Sequence, residues 1–423
     1  MIRNIAVVMR GTILAQAVGV LILPVFTRLF DPAAFGHLQL YLSVVTLLIV
    51  VPSLRYDIAV LRASDAELPA LLRICFYANI GMASLLLAVG YGSAALAPQS
   101  LLASAPFPLW MPVLAMVLSG SAQVVLYVAI RDERFQVNAN SKIAQSICYA
   151  GGGVALGVTQ AGANGLIVAD MIGRLANLGW LYRWFRQRAP MPMDNRVPFR
   201  SVAHRYREYP LIALPGGIAN SAGGVLTPIM IYATFTAGVA GQYGLVDRVL
   251  TLPVALVAVA VSQAYMGQLS TALRVGGDGA RAQFRGLFKW LAMLSILPTI
   301  AVVLFAGPVF ALLFGAEWRL AGTLAQIMAP AAFTSLLSGC FNMTLSVVGR
   351  QKTQIAWELG RLAAMIALWS TVSVLQLPVI TSVMLHSGLT IAINGIFLLL
   401  CEHALRNAGS GPLNTVPIES EPA

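Results

Sequence analysis

Long blocks of apolar residues, separated by short polar stretches, run along this chain of 423 residues. An apolar block of about 18 or more residues can cross the roughly 30 Å hydrocarbon core of a bilayer as an α-helix. The pattern therefore predicts about 12 transmembrane helices. The predicted segments are 5–26, 38–54, 72–97, 108–130, 140–158, 161–182, 209–233, 241–265, 287–306, 324–348, 354–376 and 379–402.

Composition supports this interpretation. Apolar residues make up 58% of the chain and charged residues 10%, whereas soluble proteins carry roughly 25% charged residues. We predict an all-α polytopic membrane protein without a soluble domain large enough to form its own core. The cysteines lie in apolar segments with no paired spacing, so we expect no disulfide framework, metal site or cofactor. They are Cys75, Cys148, Cys340 and Cys401.

The net charge of +11 would suggest nucleic acid as the partner of a soluble protein. Here most Lys and Arg residues fall on one side of the predicted helices, with a dense arginine cluster between Arg183 and Arg207. This is the positive-inside bias that orients membrane proteins. It predicts that both termini are cytoplasmic and that the basic loops face anionic lipid headgroups, and it argues against nucleic acid.

One stretch of the sequence occurs twice. LSGSAQVVLYVAIR (118–131) matches LSGCFNMTLSVVGR (337–350) at an offset of 219 residues, and Lys142 falls on Arg361 at the same offset. A second match, at an offset of 204, relates the first and seventh helices. It pairs Gln16, Gly19 and Pro24 with Asn220, Gly223 and Pro228.

The repeats predict two six-helix lobes, 1–185 and 209–405, joined by a basic cytoplasmic linker, 186–208, and followed by a tail, 406–423. An even number of helices in each repeat predicts a pseudo-twofold axis along the membrane normal, as in transporters built from parallel repeats. Two such lobes would enclose a cleft that opens to either side of the membrane.

Ionisable side chains at membrane depth cost about 2.5–3.5 kcal/mol each and usually mark function. Asp170/Arg174 and Glu358/Arg361 have the spacing of neighbours on one helix face, so each pair can also be purely structural. Asp247 and Arg248 are adjacent and cannot share a face. Arg248 is therefore the better candidate for contacting a ligand in the cleft. The alternative is that its side chain extends to the membrane interface.

An arginine-lined cavity suits a phosphate-bearing cargo, because guanidinium stays charged and binds phosphate oxygens in pairs. The seventh helix is rich in Pro and Gly, so we expect a bend that lines the cavity or a tightly packed helix interface. Candidates for the anionic headgroup are Arg10, Lys142, Arg174, Arg248, Arg361 and Asn220. Candidates for ion coupling are Asp57, Asp170, Asp247 and Glu358.

Four short motifs resemble those of a known family. They are RLFDPAAFG (28–36), AGQYGLVDRVLTLPVAL (240–256), FGAEW (314–318) and GRQK (349–352). Their order and spacing resemble the Wzx-like O-antigen and exopolysaccharide flippases. These form the polysaccharide-transporter branch of the multidrug/oligosaccharidyl-lipid/polysaccharide (MOP) exporter superfamily. Asp247 departs from the pattern, which commonly has a small residue there.

The resemblance implies a MOP-like fold and a flippase that moves an undecaprenyl-pyrophosphate-linked oligosaccharide across the bacterial inner membrane by alternating access. It implies membrane lipids and H⁺ or Na⁺ as further partners, with a polysaccharide polymerase or export machinery beside it. It implies no enzymatic activity. By the same resemblance Arg248 is the basic residue of the eighth-helix motif, whereas Arg28, Pro32, Phe35 and Gly36 have a structural role.

Three other functions are compatible with a polytopic membrane protein. A multidrug or cation antiporter of the same superfamily would need more carboxylates and fewer buried arginines. A polysaccharide polymerase or ligase would need catalytic groups on a large external loop, but the external segments are short and nearly uncharged. A scaffold without transport activity would not need charged cavity residues.

Overall fold

The computed structural model describes residues 2–96, 105–188, 198–274 and 278–408. Within these ranges the chain is helical, with no strand. The α-helices are α1 Ile2–Leu21, α2 Leu23–Leu29, α3 Pro32–Leu48, α4 Tyr56–Ala59, α5 Leu68–Leu96, α6 Trp110–Arg131, α7 Phe135–Val158, α8 Ala163–Gln187, α9 Phe199–Arg205, α10 Leu214–Thr234, α11 Ala237–Arg274, α12 Asp278–Phe314, α13 Arg319–Cys340, α14 Thr344–Val347, α15 Gln351–Leu375 and α16 Val379–Ala408. A π-helical turn, Tyr209–Ala213, precedes α10, and a 3₁₀ turn, Ala316–Trp318, precedes α13.

Each predicted transmembrane segment falls largely on one of these helices or on a consecutive pair, which confirms the predicted all-α membrane fold, although segment 38–54 runs past the end of α3 at Leu48. Among the described residues, 8 spans are long and apolar enough to cross a membrane, and two of them, Gly11–Leu29 and Ala316–Val347, run over consecutive helices. Helix α3 has 17 residues and is shorter than those eight. Helices α7 and α8 carry polar and charged side chains, which lower their apolar content.

Two helices are longer than their apolar segments predicted. Helix α11 has 38 residues and α12 has 37, and at about 1.5 Å per residue each is roughly 55 Å long. The predicted segments, 241–265 and 287–306, were too short because hydropathy detects only the apolar part. The amphipathic beginning of α12, DGARAQFRG, continues the same helix.

Prolines interrupt the first helix but not the seventh. The break between α1 and α2 falls at Ile22, two residues before Pro24. In the seventh helix the irregularity is the π-helical turn containing Pro210, while Pro228 lies inside a continuous α10. The expected bend is thus replaced by a widened first turn.

The two copies of the repeated stretch differ at their ends. Helix α6 continues to Arg131, which pairs with Asp65 at 2.6 Å. Arg131 also donates hydrogen bonds to the carbonyl oxygens of Val60 and Ala63. In the second copy, α13 ends at Cys340 and helix resumes only at Thr344–Val347. Arg350, the counterpart of Arg131, is exposed.

Contacts group the chain into two compact units, each described by itself. The first comprises Met1–Leu245 and Phe310–Leu320, and the second Val246–Val309 and Ala321–Ala423. The lobes predicted from the sequence repeats, 1–185 and 209–405, stay a prediction.

In the first unit, three of the family-like motifs meet. The indole Nε1 of Trp318 donates to the carbonyl oxygen of Thr27 at 3.2 Å, and its ring meets the Phe35 ring edge to face at 4.8 Å. The amide of Gln242 donates to the carbonyl oxygen of Glu317 at 2.6 Å. These contacts join the end of α2, the start of α3 and the start of α11, so the motif residues have a structural role.

Glycines allow the two helix starts to touch. A Cβ on Gly36 would collide with the carbonyl oxygen of Ala237, and a Cβ on Gly241 would collide with the carbonyl oxygen of Pro32. Since backbone atoms cannot yield like a flexible side chain, both positions require glycine. The two motifs therefore encode a direct backbone contact between α3 and α11.

A polar cluster binds the linker helix α9 to the first unit. The buried carboxylate of Glu67 pairs with Arg205 at 2.7 Å and accepts hydrogen bonds from Tyr206 and Ser64. Burial alone would raise the pKa of Glu67, but these hydrogen bonds outweigh it and lower the pKa below its ordinary value. The cluster thus favours the ionised carboxylate and holds α9 beside the start of α5.

The core of the second unit is aromatic. The Phe341 ring contacts Tyr265 at 4.9 Å and Phe284 at 4.4 Å, which ties α11, α12 and the end of α13 together. At the end of α16, Glu402 pairs with both Arg281 and Arg285 of α12.

The glycine contact predicts a large effect of one added methyl group. Gly241→Ala is expected to lower the melting temperature of the purified protein strongly, since overpacking costs roughly 1–3 kcal/mol and here the obstacle is backbone. Gly267→Ala, on the same helix, is the matched control because an added Cβ there meets nothing within 4 Å. Thermal unfolding in detergent measures both. Equal melting temperatures for the two variants would contradict the proposed contact.

Candidate functional site

A polar cavity of about 250 Å³ lies inside the first unit, among helices α6, α7 and α8. Few of its lining residues are apolar, although the surrounding helices are built largely from apolar residues. The polar lining residues are Ser119, Gln123, Asn138, Ser141, Lys142, Gln145, Arg174 and Asn177.

Helical periodicity brings these residues together. On α7, residues 138, 141, 142 and 145 follow the i, i+3, i+4, i+7 spacing of one helix face. On α8, Asp170, Arg174 and Asn177 follow the same spacing, and α6 adds Ser119 and Gln123 one turn apart. Each helix therefore turns one polar stripe inward while its other faces pack against apolar neighbours.

Arg174 is the best-connected charge of the cavity. Its Nε pairs with Asp170 at 2.6 Å, and its Nη1 donates to the hydroxyl of Ser119 at 2.7 Å. The side chains of Arg174 and Asp170 are only 12% and 13% exposed. The pair predicted from the i, i+4 spacing is thus present, and through Ser119 it also links α8 to α6.

Lys142 is the second cation of the cavity. It lies two turns inside α7 and is partly buried. Within the described ranges, neither an ion pair nor a hydrogen bond involves its ammonium group. The cavity therefore combines one neutralised guanidinium with one ammonium that has no counter-charge.

Other predicted residues of the first unit lie elsewhere. Asn220 is on α10 and is exposed. Arg10 is on α1, but its side chain lies outside the described part. Asp57 is 3% exposed between the second and third predicted spans, where it accepts a hydrogen bond from Ser53. Of the predicted headgroup residues in this unit, the structure brings together Lys142 and Arg174.

The remaining predicted residues belong to the second unit. Asp247 and Arg248 are partly buried on α11, and Asp247 accepts a hydrogen bond from Thr251 at 2.8 Å. On α15 the predicted pair of Glu358 with Arg361 is not among the ion pairs of the described residues. Glu358 instead accepts from Gln354 at 2.9 Å.

Arg361 makes a cation–π contact on α15. Its guanidinium carbon lies 5.2 Å from the centre of the Trp357 ring. Trp357 is four residues before Arg361, so it occupies the same helix face and offers the guanidinium an alternative to the carboxylate. The pairing of Glu358 with Arg361, one of the two alternatives that the spacing allowed, is thus not seen among the described residues, where Arg361 contacts the Trp357 ring.

The two copies of the repeat place the same bridge in both units. In the first, Ser119 of α6 binds Arg174 of α8, 55 residues further on. In the second, Ser338 of α13 donates to Asn394 of α16, 56 residues further on, at 3.0 Å. Ser338 is the counterpart of Ser119 in the repeat, whereas Arg174 falls on Ile393, one residue before Asn394, at the same offset.

The sequence interpretation missed the amides of the cavity, Gln123, Asn138, Gln145 and Asn177. Gln123 had been noted only as a repeated amide. The signal that could have found the others is the polar stripe at helical spacing on α7 and α8, read as one face of each helix.

Comparison with known proteins places the chain in a class. The Polysaccharide biosynthesis protein family matches residues 25–322. A comparison with curated protein sequences finds no match. The fold resembles those of solved transporters of the MOP superfamily.

Three solved structures illustrate the similarity. A multidrug resistance MATE family transporter of the MOP superfamily, in its inward-facing conformation, aligns with a TM-score of 0.67 at 9% identity over 95% of this chain and 96% of that one. The lipid II flippase MurJ, in an inward closed conformation, aligns with a TM-score of 0.69 at 11% identity over 97% and 90%. A MATE transporter from Vibrio cholerae aligns with a TM-score of 0.57 at 12% identity over 96% of each chain.

The fold is therefore shared with a MATE transporter of the MOP superfamily and with the flippase MurJ. Within that class, the chain belongs to the Polysaccharide biosynthesis protein family.

The buried acid at Asp57 generates a prediction with a definite sign. Burial raises the pKa of Asp57, against the opposing effects of the Ser53 hydroxyl and Arg55. The neutral acid thus contributes stability that is complete below its ordinary pKa of roughly 4 and is lost as the pH rises through the raised value. Asp57→Asn should raise the melting temperature by a few degrees near pH 8 and change it little near pH 4.

The matched control is Glu133→Gln at an exposed position, which should leave the melting temperature unchanged. Thermal unfolding between pH 4 and pH 8 gives the comparison. A stabilisation by Asp57→Asn that is greatest at low pH would contradict the assignment.

Proposed function

We propose that this protein is a flippase for an undecaprenyl-pyrophosphate-linked oligosaccharide, an O-antigen or exopolysaccharide repeat unit, in the bacterial inner membrane. The observation that carries the proposal is the cationic cavity of Lys142 and Arg174 in a chain of the Polysaccharide biosynthesis protein family. A diphosphate headgroup needs cations at membrane depth, because few other groups offset its charge away from water.

Each unit has its own candidates for contacting the diphosphate. The first unit provides Lys142 and Arg174, and the second provides Arg248 and Arg361. Guanidinium groups suit this role because their paired N–H donors match phosphate oxygens. Arg10 and Asn220 complete the proposed set on sequence grounds.

The proposed transport cycle is alternating access coupled to H⁺ or Na⁺. Asp57, Asp170, Asp247 and Glu358 are the candidate coupling acids. Asp170 is the best supported, since its charge is tied to Arg174 at 2.6 Å. The pair would link the coupling ion to the cargo, because a cation would compete with Arg174 for the carboxylate and a phosphate would compete with Asp170 for the guanidinium. Both termini are proposed to be cytoplasmic.

The alternative is a multidrug or cation antiporter of the same superfamily. TM-scores of 0.67 for the MATE transporter and 0.69 for MurJ do not separate the two functions. The charge of the cavity favours the flippase, because a net positive lining would repel cationic drugs.

The function can be tested with a double variant. Asp170→Asn with Arg174→Gln removes both charges and leaves no unpaired ion, so it avoids the destabilisation that a single substitution would cause. In a glycan-producing host lacking the native gene, we expect surface polysaccharide to fall by about tenfold or more, since a charged hydrogen bond contributes about 1.5–3 kcal/mol. Lipid-linked precursor should accumulate inside the cell.

Lys352→Ala is the matched control, because Lys352 is exposed at the start of α15. It should support normal surface glycan. The proposal fails if the double variant, present in the membrane at the wild-type level, exports glycan normally. Drug sensitivity of the deletion strain, with unchanged glycan, would favour the antiporter.

A further inference from the structure

The cavity of the first unit carries an uncompensated positive charge. Two cations line it, Lys142 and Arg174. Arg174 is neutralised by Asp170 at 2.6 Å. Within the described ranges, no acid and no hydrogen-bond acceptor is in contact with the Lys142 ammonium. The lining of the cavity therefore has a net charge of +1, located at the Lys142 ammonium.

A partly buried ammonium inside an apolar helix bundle is stabilised by a counter-charge. The low dielectric of such a site makes an unpaired charge costly. On the described part of the chain, the ammonium has no carboxylate to pair with. An anion that enters the cavity would supply the missing counter-charge.

The other lining groups can complete an anion site. The side-chain amides of Gln145 and Asn177 line the same cavity, and each carries two N–H donors. Within the described residues these amides have no hydrogen-bond partner. Amides can also accept hydrogen bonds, so they do not select the charge of the ligand. The Lys142 ammonium in the same cavity does, since it repels a cation and attracts an anion.

The volume limits the ligand. A volume of about 250 Å³ lies below the roughly 300–1,000 Å³ typical of sites for drug-sized molecules. One small anion with part of its hydration shell fits inside it.

We propose that this cavity is a binding site for one small anion, of halide or phosphate size, held by the Lys142 ammonium and the amides of Gln145 and Asn177. The site does not depend on the proposed cargo. A free inorganic anion and the phosphate of a lipid headgroup share the chemistry it recognises, and the experiment below separates them.

The test measures thermal unfolding of the purified full-length protein at constant ionic strength while chloride or inorganic phosphate replaces gluconate. Because a ligand that binds only the folded state stabilises it by mass action, we expect a saturable rise of roughly 2–4 °C. Lys142→Met, which keeps the length of the side chain without its charge, should abolish the rise. Lys142→Arg should retain it.

Two further variants protect the test against misfolding of Lys142→Met. Gln145→Leu keeps the charge and should weaken the apparent affinity several-fold. Lys352→Met, at an exposed site, should respond like the wild type.

The source of the anion is decided by adding a soluble short-chain prenyl diphosphate in a separate titration. A Lys142-dependent rise with chloride or phosphate assigns the site to a free anion, and one with the prenyl diphosphate alone assigns it to a lipid phosphate. No Lys142-dependent rise with any of the three overturns the proposal. Normal glycan export by Lys142→Met with a lost anion response would leave the anion site standing and show that export does not need it.

Discussion

The requirement that charge be neutralised inside an apolar helix bundle governs the first unit. Arg174 meets it with two partners, the carboxylate of Asp170 on its own helix and the hydroxyl of Ser119 on α6. The first contact removes the cost of the buried guanidinium, and the second ties α8 to α6. Polar side chains of α7 beside this bridge complete the lining of the cavity. The charge of the cavity is separate from the ion pair, since it is located at Lys142.

The two matching stretches carry a serine whose contacts differ in charge. Ser119 and Ser338 occupy equivalent positions and each binds a residue about 55 positions further on. In the second unit that residue is Asn394, 7% exposed and further bound to Thr334 and Ser335. A neutral amide with all these partners makes a closed structural contact. In the first unit the residue is Arg174, which pairs with Asp170 and lines the cavity.

Sequence reasoning succeeded where a residue is costly and failed where it is not. Arg174 was predicted because a charge at membrane depth stands out against apolar neighbours, and Lys142 because it falls on Arg361 at the offset of the repeat. Gln145 and Asn177 were missed because a single amide costs little and resembles any polar residue of a helix. Spacing could not decide whether Glu358 and Arg361 pair, because it gives the candidates for contact but not their competition, and Arg361 contacts the Trp357 ring. The predicted lengths of α11 and α12 were too short because hydropathy reports where a helix is apolar and not where it ends.

The family-like motifs and the cavity answer different questions about the chain. Gly36, Gly241 and Trp318 lie at a backbone contact that positions helices and touches no ligand, so their presence identifies the fold. That fold is shared by structures described as drug transporters and as a lipid flippase, at nearly equal similarity. What the cargo can be is decided by side chains that the motifs do not include. In the proposed function the lining would favour an anionic cargo, since Arg174 is paired and no described acid contacts the Lys142 ammonium. The fold alone does not determine the function.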